Sequence, residues 1–449
     1  MFEKNTAIFW FRRDLRINDN HGLYRALSEN ARVLPIYIFD RATLDQLPNQ
    51  KDPSVTLTWR ALNDLQNRLI EEGSSLWTFY GTPEEAFTQL LKETQVNAVY
   101  VNTEYEPQAI ERDNHIAAFL DQHNIPFESH KDRVVFESED LNPTPDKPLT
   151  GFTAFKRRWS AALRRGAPQP YPTEHHLEAL LPFAQPQPLI PLSEMGFKDS
   201  GARLEPFNKD RITQWREQRE FPAQGADLGI AAHLAYGLLS ARQVLREAGS
   251  RDRVLLNLIA RREYYTQLLH RFPKLSHQHA NPLFERFPYR NASRDFQLWR
   301  DGKTGIPIID AAMRQLRQTG FMPAPMRTVT ASFLTRHLMI HWREGAQWFA
   351  SRLIDYDQAI NTGNWQRAAG TGFDPLPWDT IINPWSFARK FDADLLYIRQ
   401  WVPEFLDPDY PLPIVEHRFA RRRVLNAYED TKANQPQPDP EPETPLFLG

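Results

Sequence analysis

The sequence predicts an α/β protein: an N-terminal doubly wound parallel sheet domain followed by a larger all-α domain. Three patterns predict it. Over residues 1–136, short apolar runs rich in β-branched and aromatic residues alternate with helix-period segments. Prolines and turn residues crowd residues 137–204. From 205 to 430 apolar residues recur at spacings of three and four, the stripe of a packed helix. A chain of 449 residues is long enough for two or three cores.

In chain order, residues 6–11 and 33–39 read as buried parallel strands. Residues 55–72 have helical periodicity ending at Gly73; a strand follows at 75–80, a helix opens at Pro83, a strand runs over 96–101, and a helix runs from Pro107 to about Gln122. This β-α-β series implies an open parallel sheet with helices on both faces. No glycine-rich phosphate fingerprint follows the first strand; Arg12, Arg13, Asp14 and Arg16 do, which reads as an ion-paired surface loop. The crowded segment reads as an interdomain connector over the surface, interrupted by a basic helix at 152–165 with Lys156, Arg157, Arg158, Arg164 and Arg165. That helix suits a solvated face, or a nucleic-acid patch. Helices are then expected at 231–247, 254–270, 308–318, 329–342 and 346–354. Residues 431–449 are Pro- and Glu-rich and are expected to be disordered.

Composition narrows the classes. Apolar content of 41% and charged content of 24% describe an ordinary soluble protein, and no apolar run approaches the ~20 residues of a membrane span. The first residues lack a signal-peptide pattern, so a cytoplasmic location is expected. Zero cysteines exclude disulfides, iron–sulfur clusters and thiol catalysis. The thirteen histidines are scattered without ligand spacing on a helix, and no metal site is expected. A net charge of −2 gives no global attraction to nucleic acid, so DNA binding would need a local basic face.

One stretch stands out for chemistry: Asp355-Tyr-Asp-Gln-Ala-Ile-Asn361-Thr-Gly-Asn364-Trp365, preceded by a helix-like run over 335–354 containing His341-Trp342-Arg343-Glu344. Its carboxylates, amide and indole need partners if buried. The same spelling suits a helix-end cap, with Thr362-Gly363-Asn364 as a turn. Together with Phe9-Trp-Phe-Arg-Arg-Asp-Leu-Arg-Ile-Asn-Asp-Asn20, Arg262-Glu-Tyr-Tyr265, Gly302-Lys-Thr-Gly-Ile-Pro-Ile-Ile-Asp-Ala-Ala-Met313, Thr330-Ala-Ser-Phe-Leu334 and Ile414-Val-Glu-His417, the stretch resembles the photolyase/cryptochrome family over nearly the whole chain.

The resemblance implies that the helical domain binds FAD and that light moves an electron between flavin and substrate, or along aromatic residues. It implies a buried ion pair of Arg327 and Asp355, a carboxylate at the flavin edge in Asp357, an amide facing flavin N5 in Asn361, and Arg262 beside them. Trp365 and Trp342 match the inner members of an electron relay, and the third position falls on Tyr289, predicting a relay that ends in a tyrosyl radical or is impaired. Each of these aromatics alone also suits core packing. A second, antenna chromophore of unknown identity is possible in the family, with Tyr105-Glu106-Pro107 keeping a familiar pattern.

Departures from the family pattern bear on function. The phosphate loop falls on Asp227-Leu-Gly-Ile-Ala231, without a hydroxyl. Where repair enzymes for cyclobutane dimers carry a Glu and a Trp, this chain has Leu258 and Arg261; an expected Asn and Arg are Ala324 and Pro325; a second indole is Arg367, and a phosphate-contacting Arg is Thr380. Arg219 and Arg262 persist, and with Arg261 and Arg367 they are expected to keep the cavity positive, open to an anion or to single-stranded or damaged DNA. The favoured reading is a blue-light FAD protein, either a cryptochrome-type photoreceptor or a photolyase with an unconventional lesion pocket. The alternatives are an orthodox cyclobutane-dimer photolyase and a flavin-free binding protein. A monomer is expected.

Overall fold

The computed structural model describes residues 5–141, 148–166, 168–225, 229–249 and 252–434. Strands β1 (Thr6–Phe11), β2 (Val33–Asp40), β3 (Trp77–Gly81), β4 (Val96–Asn102) and β5 (Phe127–His130) form one sheet in the order β3-β2-β1-β4-β5, parallel throughout. Central β1 is wholly buried. Ala7, Phe9 and Phe11 point into one helical layer and Ile8 and Trp10 into the other, the alternation a strand imposes. Helices His21–Glu29 and Pro53–Glu71 cover the first face through Leu23, Leu27, Leu62 and Leu69. Pro83–Glu93 and Pro107–Asp121 cover the second through Phe87, Leu90, Ile116 and Leu120. Both layers are therefore filled, as a doubly wound sheet requires. The helix His21–Glu29 and edge strand β5 were beyond the sequence pattern: the first is a nine-residue helix, and the second reads Phe-Glu-Ser-His with no buried residue.

The loop after β1 is ion-paired as expected but is not on the surface. Arg12 Nη1 donates to both oxygens of Asp113 at 2.6 and 2.8 Å, and Arg16 Nη2 donates to Asp132 at 2.6 and 2.7 Å. The same loop docks on the helical part: Leu15 N–H donates to Tyr236 O at 3.2 Å and Arg16 Nη1 to Gly237 O at 3.1 Å. Gly237 has φ +70°, and a Cβ there would lie 2.2 Å from Arg13 O, so this contact requires glycine. The partners lie about a hundred residues or more away, which local sequence reading does not reveal.

The connector also contributes core. Leu181 N–H donates to Val33 O at 2.8 Å, and Ala179, Leu180, Met195 and Phe197 are buried against the sheet's first layer. The expected basic helix occupies Phe152–Arg165; Phe152, Phe155 and Trp159 sink into the helical part, while its charged residues lie outward.

Among the expected helices, Arg253–Arg271 and Pro307–Thr319 run close to the predicted bounds. Two others are broken. The segment 231–247 is split into Ile230–Tyr236 and Ala241–Ala248 by left-handed Gly237. The segment 329–342 is not one helix either: Ala324–Ser332 passes into a π-helical turn, Phe333–His337. Met339 then takes φ +54°, and a new helix, Trp342–Ala350, begins with His341 Nδ1 accepting the Arg343 N–H at 3.1 Å. Conversely, Thr362-Gly363-Asn364 is not a turn but lies inside the helix Gln358–Ala369, which Asp357 caps and left-handed Gly370 ends. The last helix, His417–Ala433, takes in the first residues of the segment expected to be disordered; 435–449 lie outside the described residues.

Candidate functional site

The helix Gln358–Ala369 organises the site. Asp357, Asn361 and Trp365 are spaced by four and therefore share one face. Asp357 Oδ1 accepts the Ile360 N–H at 3.2 Å as the helix cap. Its Oδ2 receives Arg133 Nη2 at 3.0 Å, with Arg13 at 3.7 Å and Arg262 at 3.9 Å. Arg133 Nη1 also reaches both oxygens of Glu106, at 3.0 and 2.8 Å, and Arg13 donates to Glu106 at 2.8 Å. Burial opposes the charge on Glu106, but Arg133 and Arg13 outweigh it and hold its carboxyl far below the usual range. Burial, with Arg133 and Arg13 close by, outweighs the opposing carboxylates of Asp357 and Glu106 and lowers Arg262 to about 10. Arg262 gives one strong bond, Nη1 to Arg133 O at 2.6 Å.

Asp355 differs from Asp357. Arg327 Nη2 donates to its Oδ2 at 2.8 Å while Arg327 Nε is tied to Met322 O at 2.7 Å. Asp355 Oδ1 is buried and has no hydrogen-bond partner. A carboxylate acceptor left bare in the interior costs free energy unless a donor arrives. An imide N–H of a flavin ring is such a donor, and Asn361, held by its Nδ2 donating to Ala346 O at 3.1 Å, lies two turns of chain beyond. These residues fit FAD; of the two carboxylates, Asp355 keeps a bare buried oxygen, whereas Asp357, the expected flavin-edge carboxylate, has both oxygens engaged by protein. The phosphate-loop position falls partly outside the described residues, at Asp227 and Leu228.

Of the relay candidates, Trp365 and Trp342 stand on adjoining helices and Tyr289 on a loop. Trp365 is buried, edge-on to Phe349 at 5.0 Å and to Trp299 at 6.2 Å. Its ring lies against Gly345, where a Cβ would come within 2.1 Å. Trp342 starts that same helix, one turn earlier. Tyr289 lies beyond it, with His279 between the two. Trp342 Nε1 donates to His279 Nδ1 at 3.1 Å, and Tyr289 Oη is 3.3 Å from His279 Nε2.

On the expected lesion side, Arg261 and Arg367 do not stand as free cations. Both guanidinium groups pair with Asp374, Arg261 Nη1 at 2.9 Å and Arg367 more closely, with a further bond to Asp374 O at 2.9 Å. Arg261 also lies over the Phe152 ring at 3.7 Å. Beside this clamp, Tyr265 packs on Gly363 so tightly that a Cβ there would meet its ring at 2.2 Å. The crevice lined by Tyr265, Gln366, Phe373 and Asp374 is about 20 Å³, room for roughly one water. Arg219 is not brought to this place: its partners are its own neighbours Glu220, at 3.5 Å, and the Trp215 ring, at 5.8 Å. Sequence reading missed Asp374, Arg133 and His279, because each acts through a partner distant in sequence or through a side chain with no motif of its own.

A parallel α/β domain joined to a helical domain, with a bare buried carboxylate and a file of aromatics leading away from it, defines a two-domain protein built to hold a redox cofactor. Comparison with known proteins makes this specific. The FAD binding domain of DNA photolyase matches residues 255–407, and the DNA photolyase domain matches residues 7–174. A deoxyribodipyrimidine photo-lyase of Synechococcus is 33% identical, covering 97% of this chain and 99% of its own. A cryptochrome DASH of Gloeobacter violaceus is 30% identical over 96% of this chain and 95% of its own. The crystal structure of an archaeal photolyase from Sulfolobus tokodaii with two FAD molecules superimposes with a TM-score of 0.79 at 28% identity, covering 95% of this chain and all of that one. The chain belongs to the DNA photolyase/cryptochrome family, and its helical part is the family's FAD-binding domain.

Proposed function

We propose that this protein is a blue-light-absorbing FAD protein that moves single electrons through Trp365 and Trp342, and that it does not take up cyclobutane dimers in the manner of an orthodox photolyase. The observation that carries this reading is the joining of Arg261 and Arg367 to Asp374. At the two positions where the family's repair enzymes place indoles, this chain has a salt-bridged clamp over a crevice too small for a base. A flipped nucleotide needs stacking walls and hydrogen bonds to its edge, and here the place of the two indole walls is taken by guanidinium groups drawn onto Asp374.

Bound FAD would supply the absorption of blue light and a one-electron couple. The chain's own residues do the rest. Arg327 holds Asp355 through Oδ2, so that its free Oδ1 would orient the ring edge. Asn361 presents an amide one helical turn before Trp365. Phe349 and Trp299 wall Trp365 from water. Glu106 is consumed by Arg13 and Arg133, so a second, light-harvesting chromophore would have to rest on other groups. A cytoplasmic monomer is part of the same reading, and size-exclusion chromatography checks the oligomeric state.

The test is the absorption spectrum of the purified protein, followed under blue light first with a reductant and then with dimer-containing single-stranded DNA. Flavin that photoreduces while the dimers persist is the expected result. Light-dependent restoration of thymine absorbance would establish the second reading, repair, which the shared identity with deoxyribodipyrimidine photo-lyases favours. Trp365→Phe is expected to abolish photoreduction while leaving the yellow colour.

A further inference from the structure

We infer that His279 is the proton acceptor of the electron relay: when Trp342 loses an electron, its indole proton passes to His279 Nδ1, and the hole is held on Trp342 instead of reaching Tyr289. The inference rests on the relay proposed for Trp365 and Trp342 and identifies what ends that relay.

Geometry fixes the state of the imidazole. Trp342 and His279 are 1% and 6% exposed, with Trp342 Nε1 3.1 Å from His279 Nδ1. An indole nitrogen can only donate, so Nδ1 carries a lone pair, and the hydrogen of the neutral ring sits on Nε2. That N–H points at Tyr289 Oη, 3.3 Å away. The Tyr289 ring is nearly parallel to the imidazole, at 11° with centroids 5.7 Å apart. The His279 backbone N–H donates to Glu285 Oε1 at 2.9 Å, and the His341 ring stands 4.8 Å off. Burial lowers His279 to about 4, with His341 and Arg343 adding to the effect and Glu285 opposing it. At neutral pH the ring is an uncharged base with its lone pair on the indole N–H.

Bound FAD, when excited, would be the oxidant of Trp365; one electron then leaves Trp342 to refill Trp365. The indole N–H is thereby acidified; its bond breaks and an Nδ1–H bond forms. Trp342 is left as a neutral indolyl radical and His279 as an imidazolium with hydrogens on both nitrogens. A phenol loses an electron readily only if it loses its proton too. Tyr289 has no base at His279, because Nε2 presents a hydrogen before the step and a full positive charge after it. Burial also raises the Tyr289 phenol well above its ordinary range. The tyrosyl terminus suggested by the position of Tyr289 is therefore closed by the residue beside it, and proton loss from Trp342 delays charge return.

Flash photolysis of the holoprotein tests this. In the native protein an indolyl cation should convert to the neutral radical with a solvent deuterium isotope effect and without a tyrosyl signal. In His279→Gln that conversion should slow by roughly a hundredfold, the scale of a positioned general base. An unchanged conversion rate in His279→Gln, or a tyrosyl signal that Tyr289→Phe removes, overturns the inference and leaves the relay standing. No indolyl signal at all overturns both. Nitrogen-15 resonances of labelled histidine in the dark holoprotein give a readout that needs no variant: His279 should be neutral at pH 7 with its hydrogen on Nε2, and a hydrogen on Nδ1 overturns the inference.

Discussion

Asp374 shows how one side chain alters what its neighbours can do. Arg261 and Arg367 each replace an expected indole, and as separate residues they promise a cavity attractive to phosphate. Asp374 accepts both guanidinium groups, leaving one net positive charge where two stood. Replacing it by asparagine keeps the shape and removes the charge. Asp374→Asn is therefore expected to bind a single-stranded oligodeoxynucleotide several-fold more tightly at low salt, with the gain fading as salt rises. Fluorescence anisotropy across a salt series reads this; equal affinities for the two proteins would show that Asp374 does not hold the cations in check. The arginines were legible in the sequence as misfits. Their partner was not, since Asp374 lies seven residues beyond Arg367 but 113 beyond Arg261.

At the scale of elements, close approach matters more than propensity. The helices Arg253–Arg271 and Gln358–Ala369 touch where Tyr265 lies on Gly363. Alanine at 363 would gain up to about 1 kcal/mol in helix propensity, but its Cβ would stand 2.2 Å from an aromatic ring. Overpacking of this kind costs about 1–3 kcal/mol. Gly363→Ala is expected to lower stability on balance, read as a lower urea midpoint with little change in slope. A higher midpoint would mean that the two helices separate without cost. Turn chemistry left Thr362-Gly363-Asn364 open to being read as a turn, because this contact is not visible in the sequence. Periodicity took 329–342 as one helix, because a π-helical turn leaves the apolar pattern largely intact while re-aiming the chain beyond it. That break puts Trp342 at the start of a helix, where its indole N–H can reach His279.

Across the whole molecule, buried groups set the response to pH. Burial lowers His21 and His279 to about 4 and His337 to about 3, from an ordinary 6.5. A base with a lowered folded value binds fewer protons folded than unfolded, so stability falls as pH drops from about 6.5 toward 3–4. Glu104 is held at about 2, where Arg112 and Arg12 outweigh the opposing effect of burial. Its stabilisation is complete above about 4.5 and is lost as pH falls toward 2, so it adds to the same trend. Glu263, which burial raises to about 8, works the other way, since it binds its proton more tightly folded than unfolded and so lowers stability as pH rises toward 8. Urea midpoints should therefore be highest near pH 6.5–7, slope down gently toward pH 8, and decline below pH 6.5, where three histidines outweigh one carboxyl; a midpoint at pH 5 equal to that at pH 7 would contradict the assignment of these histidines as neutral. The fold class and the family were determined by the sequence alone, because period-two and helix-period patterns and runs of matching motif are local properties of the chain. The sequence also singled out Arg327, Asp355, Asn361, Trp365 and Trp342 as candidates, through their places in the family's motifs. Only the tertiary structure decided that Asp355 and not Asp357 keeps a bare oxygen, that Asp374 joins Arg261 to Arg367, and that His279 stands between Trp342 and Tyr289. Each of those outcomes depends on which distant side chain arrives within about 3 Å in a low-dielectric interior, and nothing in the local order of residues encodes that distance.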